Sequence, residues 1–270
     1  MPTLYDDMGT ALHLTGPPAR VVSLVPSLTE AVATSRPALL VGVTDWCTHP
    51  TDLKVTRVRG TKNPNLTTIA SLSPDLVLAN KEENRELDVR RLRAAGIPVW
   101  VTVIETVPQA LASLERMLLL GLATDPPDWL TAARQVWSGS PPETVARAVV
   151  PIWRDPWMVV GRSTFTGDLL RRAGVANAFA DHPERYPHVS LEEIDRPDVD
   201  LVLLPDEPYA FNAHDGPEAF HNVSTELVSG RLLTWYGPSL LEAREMLRDV
   251  LAALVSRQSA DHMRGKAPGE

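Results

Sequence analysis

The stretch GVTDWCTHP, residues 42–50, concentrates the side chains best able to do chemistry. It carries Asp45, Cys47 and His49 at alternating positions around Trp46. In an extended loop such alternating side chains share one face, so the three polar groups would lie together and Trp46 would point away from them. Carboxylate, thiolate and imidazole groups all bind transition metals. The spacing therefore leaves two interpretations open: a metal site, or a solvated loop face that frames the tryptophan.

Motifs that would define a metal site or an enzyme are absent from the sequence. The chain has seven histidines and one cysteine, but neither HExxH nor CxxC occurs. The GxSxG motif of serine hydrolases and a phosphate-binding GK[ST] loop are missing too. Ser163 follows Gly161 closely and could offer its hydroxyl at a helix N-terminus. It would serve there either a polar ligand edge or an ordinary helix cap.

Composition and charge exclude several classes of partner. The 270 residues include 34 acidic and 26 basic side chains, which gives a formal net charge of -8, and no basic block occurs. A nucleic-acid partner is therefore not expected. Asp6 and Asp7 stand where a signal peptide would be apolar, and no window reaches the roughly 18 apolar residues of a membrane span. We expect a cytoplasmic monomer without membrane insertion, and a periplasmic or cell-surface protein only if the gene start is truncated.

Buried strands and helices alternate through the first half of the chain. The run RVVSLV, residues 20–25, is short and rich in β-branched residues, as is typical of a buried strand. The S-x-x-E spacing of Ser27 and Glu30 predicts a capping box at the start of the next helix. More strands are predicted at residues 39–44, 76–79 and 97–103. This alternation predicts a mostly parallel sheet covered on both faces.

The same alternation returns in the second half, with predicted strands at residues 146–153, 157–161 and 199–205 and a closing helix at 238–257. The chain is thus expected to have four parts. These are an N-terminal α/β lobe (1–122), a connecting helix and linker (123–145), a C-terminal α/β lobe (146–257) and a disordered tail (258–270).

Several phrases, taken in order along the chain, resemble one family. They are RVVSLVPSLTEAV, VGVTDWCTHP, GTKNPNLTTIASLSPDLVLANKEEN, LRAAGIPVWV, MVVGRSTFTGDLLRRAG and YPHVSLEEI. Together they resemble the helical-backbone (class III) solute-binding proteins of ABC importers, especially the branch that binds vitamin B12 and iron chelates. The phrases IWRDPWMVVG, DEPYAF and WYGPSLLEA are similar to a subgroup of this family that lacks a signal peptide.

The resemblance implies a fold and a ligand class. The fold would be α/β, with two Rossmann-like lobes of mostly parallel sheets joined by a single connecting helix and a ligand cleft between the lobes. A flat macrocycle in such a cleft calls for aromatic side chains, because they bury a large apolar area at a low entropic cost. Trp46 and Tyr186 match positions where B12-binding relatives place an aromatic. The further ligand-binding candidates in the expected cleft loops are Trp153, Trp157, Trp235, Tyr236 and Ser163.

Other tryptophans and a histidine receive different expectations. Trp100, Trp129 and Trp137 lie inside predicted elements and are expected to pack in the core. His188, two residues after Tyr186, is a candidate axial ligand to the metal of a macrocycle.

The resemblance also implies docking on an importer permease through one carboxylate on each lobe. Glu192 in VSLEE keeps one of the two expected acids, whereas Thr67 stands in place of the other. An ABC permease partner is therefore an open question at this stage.

These observations predict a non-catalytic binding protein for a corrinoid, another metallo-tetrapyrrole or an iron chelate. The protein would need no cofactor, and a bound corrinoid or tetrapyrrole would be its ligand. Two alternatives remain open. One is a cytoplasmic chelatase or corrinoid-processing enzyme that uses a cleft histidine, and the other is an interaction scaffold that has lost its ligand site.

Overall fold

The computed structural model describes residues 3–264, with side chains through residue 257. The described chain forms two compact units. The first runs to Val136 and also includes Trp235–Pro238; the second comprises Trp137–Thr234 and the chain from Ser239 onward. The sequence boundary between the units thus falls inside the region predicted as a linker, and a four-residue segment returns to the first unit.

The first unit is built on a parallel sheet. An N-terminal hairpin pairs β1 (Leu4–Tyr5) with β2 (Ala11–Leu12). The sheet strands are β3 (Val21–Ser23), β4 (Leu40–Val43), β5 (Thr56–Arg57), β6 (Leu76–Asn80) and β7 (Val99–Thr102). They lie in the spatial order β5-β4-β3-β6-β7, and every neighbouring pair is parallel.

Helices alternate with these strands, as predicted. They are α1 (Pro26–Ser35), α2 (Leu66–Ser71), α3 (Glu86–Ala94), α4 (Val107–Arg116) and α5 (Asp128–Val136). A 3-10 turn covers Pro37–Leu39, and a π-helical turn, Met117–Gly121, continues α4. All five residues of β6 are buried, which accords with the continuous apolar runs of parallel strands covered on both faces.

The two N-terminal acids tie the first hairpin to the rest of the first unit. Asp6 is buried and its carboxylate lies 2.7 Å from the Arg93 guanidinium. Asp7 pairs with Arg116 at 2.7 Å. Both acids thus have structural partners more than 80 residues away along the chain.

The predicted capping box at Ser27 and Glu30 is wrong. Helix α1 begins at Pro26, with Val25 as N-cap and no side-chain cap hydrogen bond. Proline suits the first helical position because it has no N–H to satisfy, so the helix starts one residue before Ser27. Ser27 and Glu30 are instead buried inside the helix.

The second unit holds a parallel sheet of four strands. Its strands and helices are β8 (Ala146–Val149), β9 (Pro151–Trp153), β10 (Met158–Val159), α6 (Phe165–Arg172), β11 (Val175–Asn177), α7 (Leu191–Ile194), β12 (Leu201–Pro205), β13 (Ser224–Val228), α8 (Gly230–Thr234) and α9 (Ser239–Arg264). The sheet order is β11-β8-β12-β13, while β9 and β10 form a separate antiparallel hairpin. A 3-10 turn covers Pro217–Ala219.

Several elements of the second unit differ from the predictions. The strand predicted at residues 146–153 is split into β8 and β9. The sequence pattern did not reveal β11 or β13. Of these, β13 has three intermediate or buried positions among exposed ones, so it lacks an apolar run. Helix α9 continues through residues 258–264, which we expected in a disordered tail, since no glycine or proline interrupts it before Gly265. The rest of that predicted tail lies outside the described residues.

Three tryptophans pack as the sequence predicted. Trp100, Trp129 and Trp137 are all buried. The Trp129 indole donates to the Ser35 hydroxyl at 3.1 Å, and the Trp137 indole donates to the Leu240 carbonyl at 2.9 Å. Within residues 3–264, no helix combines the length and apolar character that crossing a bilayer requires.

Candidate functional site

The loop after β4 holds Trp46 at the carboxyl edge of the first unit's sheet, where ligands of open α/β sheets characteristically bind. The loop is a tight turn in which the Cys47 N–H donates to the Thr44 carbonyl at 3.2 Å. The Arg57 guanidinium, from the end of β5, donates to the carbonyls of both Thr44 and Cys47 at 2.9 Å. These three bonds fix the backbone on both sides of Trp46.

The turn also determines where the polar side chains around Trp46 lie. The Cys47 side chain is fully buried, within hydrogen-bonding distance of the hydroxyls of Thr29 (3.0 Å) and Thr44 (3.1 Å). Burial raises the pKa of the Cys47 thiol, against the opposing effect of these hydroxyls. Residues 45–46 form a turn, Asp45 is exposed and Cys47 is buried, so these polar side chains do not share one face as they would in an extended loop. Among the described residues, no group of three or more His, Cys, Asp or Glu side chains is arranged to hold a metal ion.

Trp46 is the most exposed large hydrophobic side chain of the described chain, at 66%. Its indole lies against Gly60 in the loop after β5. A Cβ on Gly60 would lie 3.2 Å from the Trp46 Nε1 and 2.6 Å from the Asn63 Oδ1. The backbones of the two loops are joined as well, because the Asp45 N–H donates to the Arg59 carbonyl at 2.9 Å. The structure therefore presents an aromatic surface on a supported loop.

Trp235 and Tyr236 belong to the first unit but are not exposed like Trp46. The Trp235 ring meets the His49 ring edge-on, with centroids 5.6 Å apart, and Trp235 is 6% exposed. Tyr236 is buried and its hydroxyl donates to the Glu83 carboxylate at 3.1 Å. Burial raises the pKa of Tyr236 well above its ordinary range, and the Glu83 charge adds to this effect. Both rings pack against the loops of this edge, and their predicted contact with a ligand stays a prediction.

An amide network under this edge was missed from the sequence. The Asn84 side chain donates to the carbonyls of Leu24 (3.3 Å) and Thr61 (3.1 Å), and it accepts the Asn80 N–H at 2.9 Å. It thereby joins three separate loops that follow strands. The signal was present in the phrase NKEEN, which places one asparagine at the end of a buried strand and a second one four residues later.

In the second unit, Trp157 is a core residue. Its ring stacks on Phe211 with centroids 5.9 Å apart and an interplanar angle of 4°, and Phe220 packs against it. Trp157 is 8% exposed. Neighbouring aromatics therefore cover most of the ring, and its role as a ligand contact stays a prediction. Trp153, in the same hairpin, is 46% exposed and meets Tyr209 edge-on at 5.5 Å.

Tyr186 and His188 lie on a segment that runs beside β10. The Gly161 N–H donates to the Arg185 carbonyl at 2.7 Å, and the Val159 N–H donates to the Pro187 carbonyl at 3.1 Å. A side chain on Gly161 would overlap the carbonyl oxygen of Glu184, so this close approach requires glycine. On this segment Tyr186 is half-buried and His188 is exposed.

Ser163 directly precedes the cap of α6. The Thr164 hydroxyl accepts the Gly167 N–H at 3.1 Å, so Thr164 is the N-cap. Ser163 is exposed and has a φ of 53°, a left-handed conformation that is uncommon outside glycine. Its hydroxyl is thus not the capping group.

Thr67 and Glu192 occupy the same position of two short helices. Thr67 is the second residue of α2, which Asn65 caps through a bond from the Thr68 N–H at 3.1 Å. Glu192 is the second residue of α7, where Ser190 forms a complete capping box. Both side chains are exposed. The Glu192 pKa is lowered by its own backbone N–H and then by the Ser190 hydroxyl, so this acid is charged at neutral pH.

Two α/β units with parallel sheets and a supported aromatic at a carboxyl edge are features of a ligand-binding protein. The sequence pattern of the periplasmic binding protein family matches residues 21–222, and the chain belongs to this family. It is therefore a binding protein and not an enzyme. Membership of this family excludes the alternative of a chelatase or corrinoid-processing enzyme. The predicted cytoplasmic location is wrong, because the family and its relatives are periplasmic.

Individual relatives agree with this assignment. The vitamin B12-binding protein of Pectobacterium carotovorum is 26% identical over 250 residues, which cover 88% of this chain and 90% of that protein. The periplasmic vitamin B12-binding protein of Vibrio cholerae has the same fold (TM-score 0.65, 18% identity, 88% of this chain and 98% of that chain). A periplasmic heme-binding protein from Pseudomonas aeruginosa is similarly close (TM-score 0.67, 22% identity, 88% of this chain and 92% of that chain).

Proposed function

We propose that this protein binds a corrinoid, another metallo-tetrapyrrole or an iron chelate, and that Trp46 is its principal aromatic contact in the first unit. The observation that carries the proposal is the 66% exposure of Trp46 on a loop held by Arg57, Cys47 and Gly60. Tryptophan is enriched at binding surfaces, because it offers a large apolar contact area at a low entropic cost.

The energetics favour a flat, apolar-faced ligand. A tryptophan side chain can bury about 150–250 Å², and apolar burial contributes roughly 25 cal/mol per Å². Because Trp46 is 66% exposed and stacking covers only one ring face, the contact would contribute roughly 2 kcal/mol before ordering costs. Because the loop backbone is already fixed, little further ordering is needed when a ligand binds.

The names of relatives support the same ligand class. The relatives described above are named for binding vitamin B12 or heme. Both compounds are metallo-tetrapyrroles with broad apolar faces. In the sequence resemblance, Trp46 also matches an aromatic position of B12-binding relatives.

The second unit supplies its own candidates for ligand contacts. Tyr186 is half-buried and keeps the second aromatic position of the resemblance. His188 is exposed and is our candidate axial ligand, because neutral imidazole binds iron and cobalt. Replacing His188 with alanine would then change the visible spectrum of the bound metal. Trp153 and Ser163 remain further candidates, since both are exposed.

We also propose that Glu192 docks on an importer permease. It is an exposed, charged carboxylate at the second position of α7, while α2 presents the neutral Thr67 at the same position. With the cognate importer in membranes, Glu192→Gln should lower the stimulation of ATP hydrolysis by this protein. Thr67→Glu should raise it, because it adds a second carboxylate. Unchanged stimulation in both variants would contradict this role.

The experiment that tests the ligand class is a binding titration of the purified protein with cyanocobalamin, iron protoporphyrin IX and a ferric siderophore. Calorimetry and the absorbance of each compound report binding. We expect saturable one-to-one binding of at least one compound. No binding of any of the three would contradict the proposed function.

A further inference from the structure

Three basic residues, Arg57 at the end of β5 and Arg59 and Lys62 in the loop after it, differ in their hydrogen bonds. Arg57 donates to two carbonyls of the Trp46 loop, and the Lys62 ammonium donates to the Glu82 carbonyl at 2.5 Å. Arg59, between them, is exposed, and its guanidinium makes no hydrogen bond or ion pair within the described part of the chain. Two of the three cations therefore bind backbone carbonyls of the protein itself. The guanidinium of Arg59 is available to bind a ligand.

Arg59 lies beside the proposed ligand contact. Its carbonyl accepts the Asp45 N–H at 2.9 Å, and the next residue, Gly60, lies against the Trp46 indole. The backbone at Arg59 has a φ of 71°, which disfavours any residue with a Cβ. The fold thus holds an arginine in a conformation that suits glycine, one residue from the aromatic surface. Unusual backbone at such a position is a frequent feature of binding sites.

We infer that the ligand carries an acidic group, and that Arg59 binds this group while Trp46 stacks on the ligand's apolar face. The inference rests on the proposed function and narrows it to a carboxylate-bearing tetrapyrrole. A guanidinium binds a carboxylate through two parallel hydrogen bonds, which lysine cannot do. A flat ring with carboxylates at its rim meets both requirements, because its face is apolar and its edge is anionic.

Asp45, which directly precedes Trp46, should affect the binding of an anionic ligand in the opposite direction. Asp45 is exposed and makes no ion pair with Arg59 within the described residues. Its charge would oppose an anionic ligand, so Asp45→Asn should strengthen binding where Arg59→Gln weakens it. A solvated loop without this role would respond to neither change.

The test compares iron protoporphyrin IX with its dimethyl ester, which has the same ring but no carboxylates. Arg59→Gln should weaken binding of the acid about tenfold, as expected for one lost charge-assisted contact. It should change binding of the ester by less than about twofold. Asp45→Asn should strengthen binding of the acid only.

Arg36→Gln is the matched control. Arg36 is also exposed and follows the C-terminus of α1, at the opposite edge of the sheet from Trp46. It removes the same charge, so it corrects for the net charge of the protein. Equal losses for Arg59→Gln and Arg36→Gln, or equal losses for acid and ester, would overturn the inference while the proposed function stands. If the unmodified protein binds neither porphyrin, the inference fails, while the titrations with cyanocobalamin and the ferric siderophore still decide the proposed function.

Discussion

The two units differ in how far an aromatic loop residue is exposed to solvent. In the first unit, Trp46 follows a sheet strand and stays 66% exposed on a fixed turn. In the second unit, Trp157 lies in the hairpin after β8 and is only 8% exposed, because Phe211 and Phe220 pack against it. The comparison teaches that a tryptophan near a strand end contributes to stability or to binding according to the neighbours that other elements supply.

The largest expected effect concerns stability. Trp157→Ala should lower the free energy of unfolding by about 3–5 kcal/mol, because it leaves a cavity among packed aromatics. Trp46→Ala should change it by less than about 0.5 kcal/mol, since the side chain is mostly solvated. Denaturant unfolding of the ligand-free protein, followed by circular dichroism, measures both. Similar losses for the two variants would contradict this difference between the two tryptophans.

A smaller effect tests whether the N-caps of α2 and α7, the helices that carry Thr67 and Glu192, contribute equally to stability. Asn65→Ala and Ser190→Ala each remove an N-cap, so each should cost about 1 kcal/mol of unfolding free energy. Ser71→Ala, at the exposed end of α2, is the control and should cost less than about 0.5 kcal/mol. If both cap variants lose the same unfolding free energy, the two helices differ mainly in the residue at their second position. A much larger loss for one variant would show that the two caps contribute unequally.

The smallest effect is a pH dependence in the first unit. Burial raises the pKa of the Cys47 thiol above its ordinary value of 9.0, so the folded state favours the neutral form. As the pH rises, the unfolded chain ionises first. The contribution of Cys47 is complete below pH 9 and is lost as the pH rises through the pKa of the folded protein.

Cys47→Ser should therefore lose less stability than the unmodified protein as the pH is raised above 9.0. Tyr236 titrates in both proteins, so the difference between them isolates Cys47. Urea unfolding at several alkaline pH values provides the measurement. Parallel pH profiles for the two proteins would show that the thiol does not ionise on unfolding in this range.

Much of the fold followed from the sequence, because parallel strands leave a clear pattern. The buried runs around Val22, Val77 and Leu203 predicted their strands directly. Strand β13 was missed because its edge position leaves exposed residues among apolar ones. The capping box at Ser27 was wrong because Pro26 starts the helix one residue earlier.

The candidate site was only partly predictable. The loop position of Trp46 pointed to exposure, and the structure shows it. Nothing in the sequence around Cys47 revealed that Thr29, from a distant helix, would enclose the thiol. The covering of Trp157 by Phe211 and Phe220 likewise depends on residues more than 50 positions away. Such long-range contacts are set by the tertiary fold and leave no local spacing pattern.

The most direct test of Trp46 as the principal contact is one set of calorimetric titrations with the tetrapyrrole that the unmodified protein binds. Trp46→Ala should weaken binding by at least about tenfold, and Trp46→Phe by less, because phenylalanine keeps a smaller aromatic face. Cys47→Ser, which changes the adjacent but buried residue, should bind within about twofold of the unmodified protein. Wild-type affinity in a folded Trp46→Ala variant would contradict the central claim.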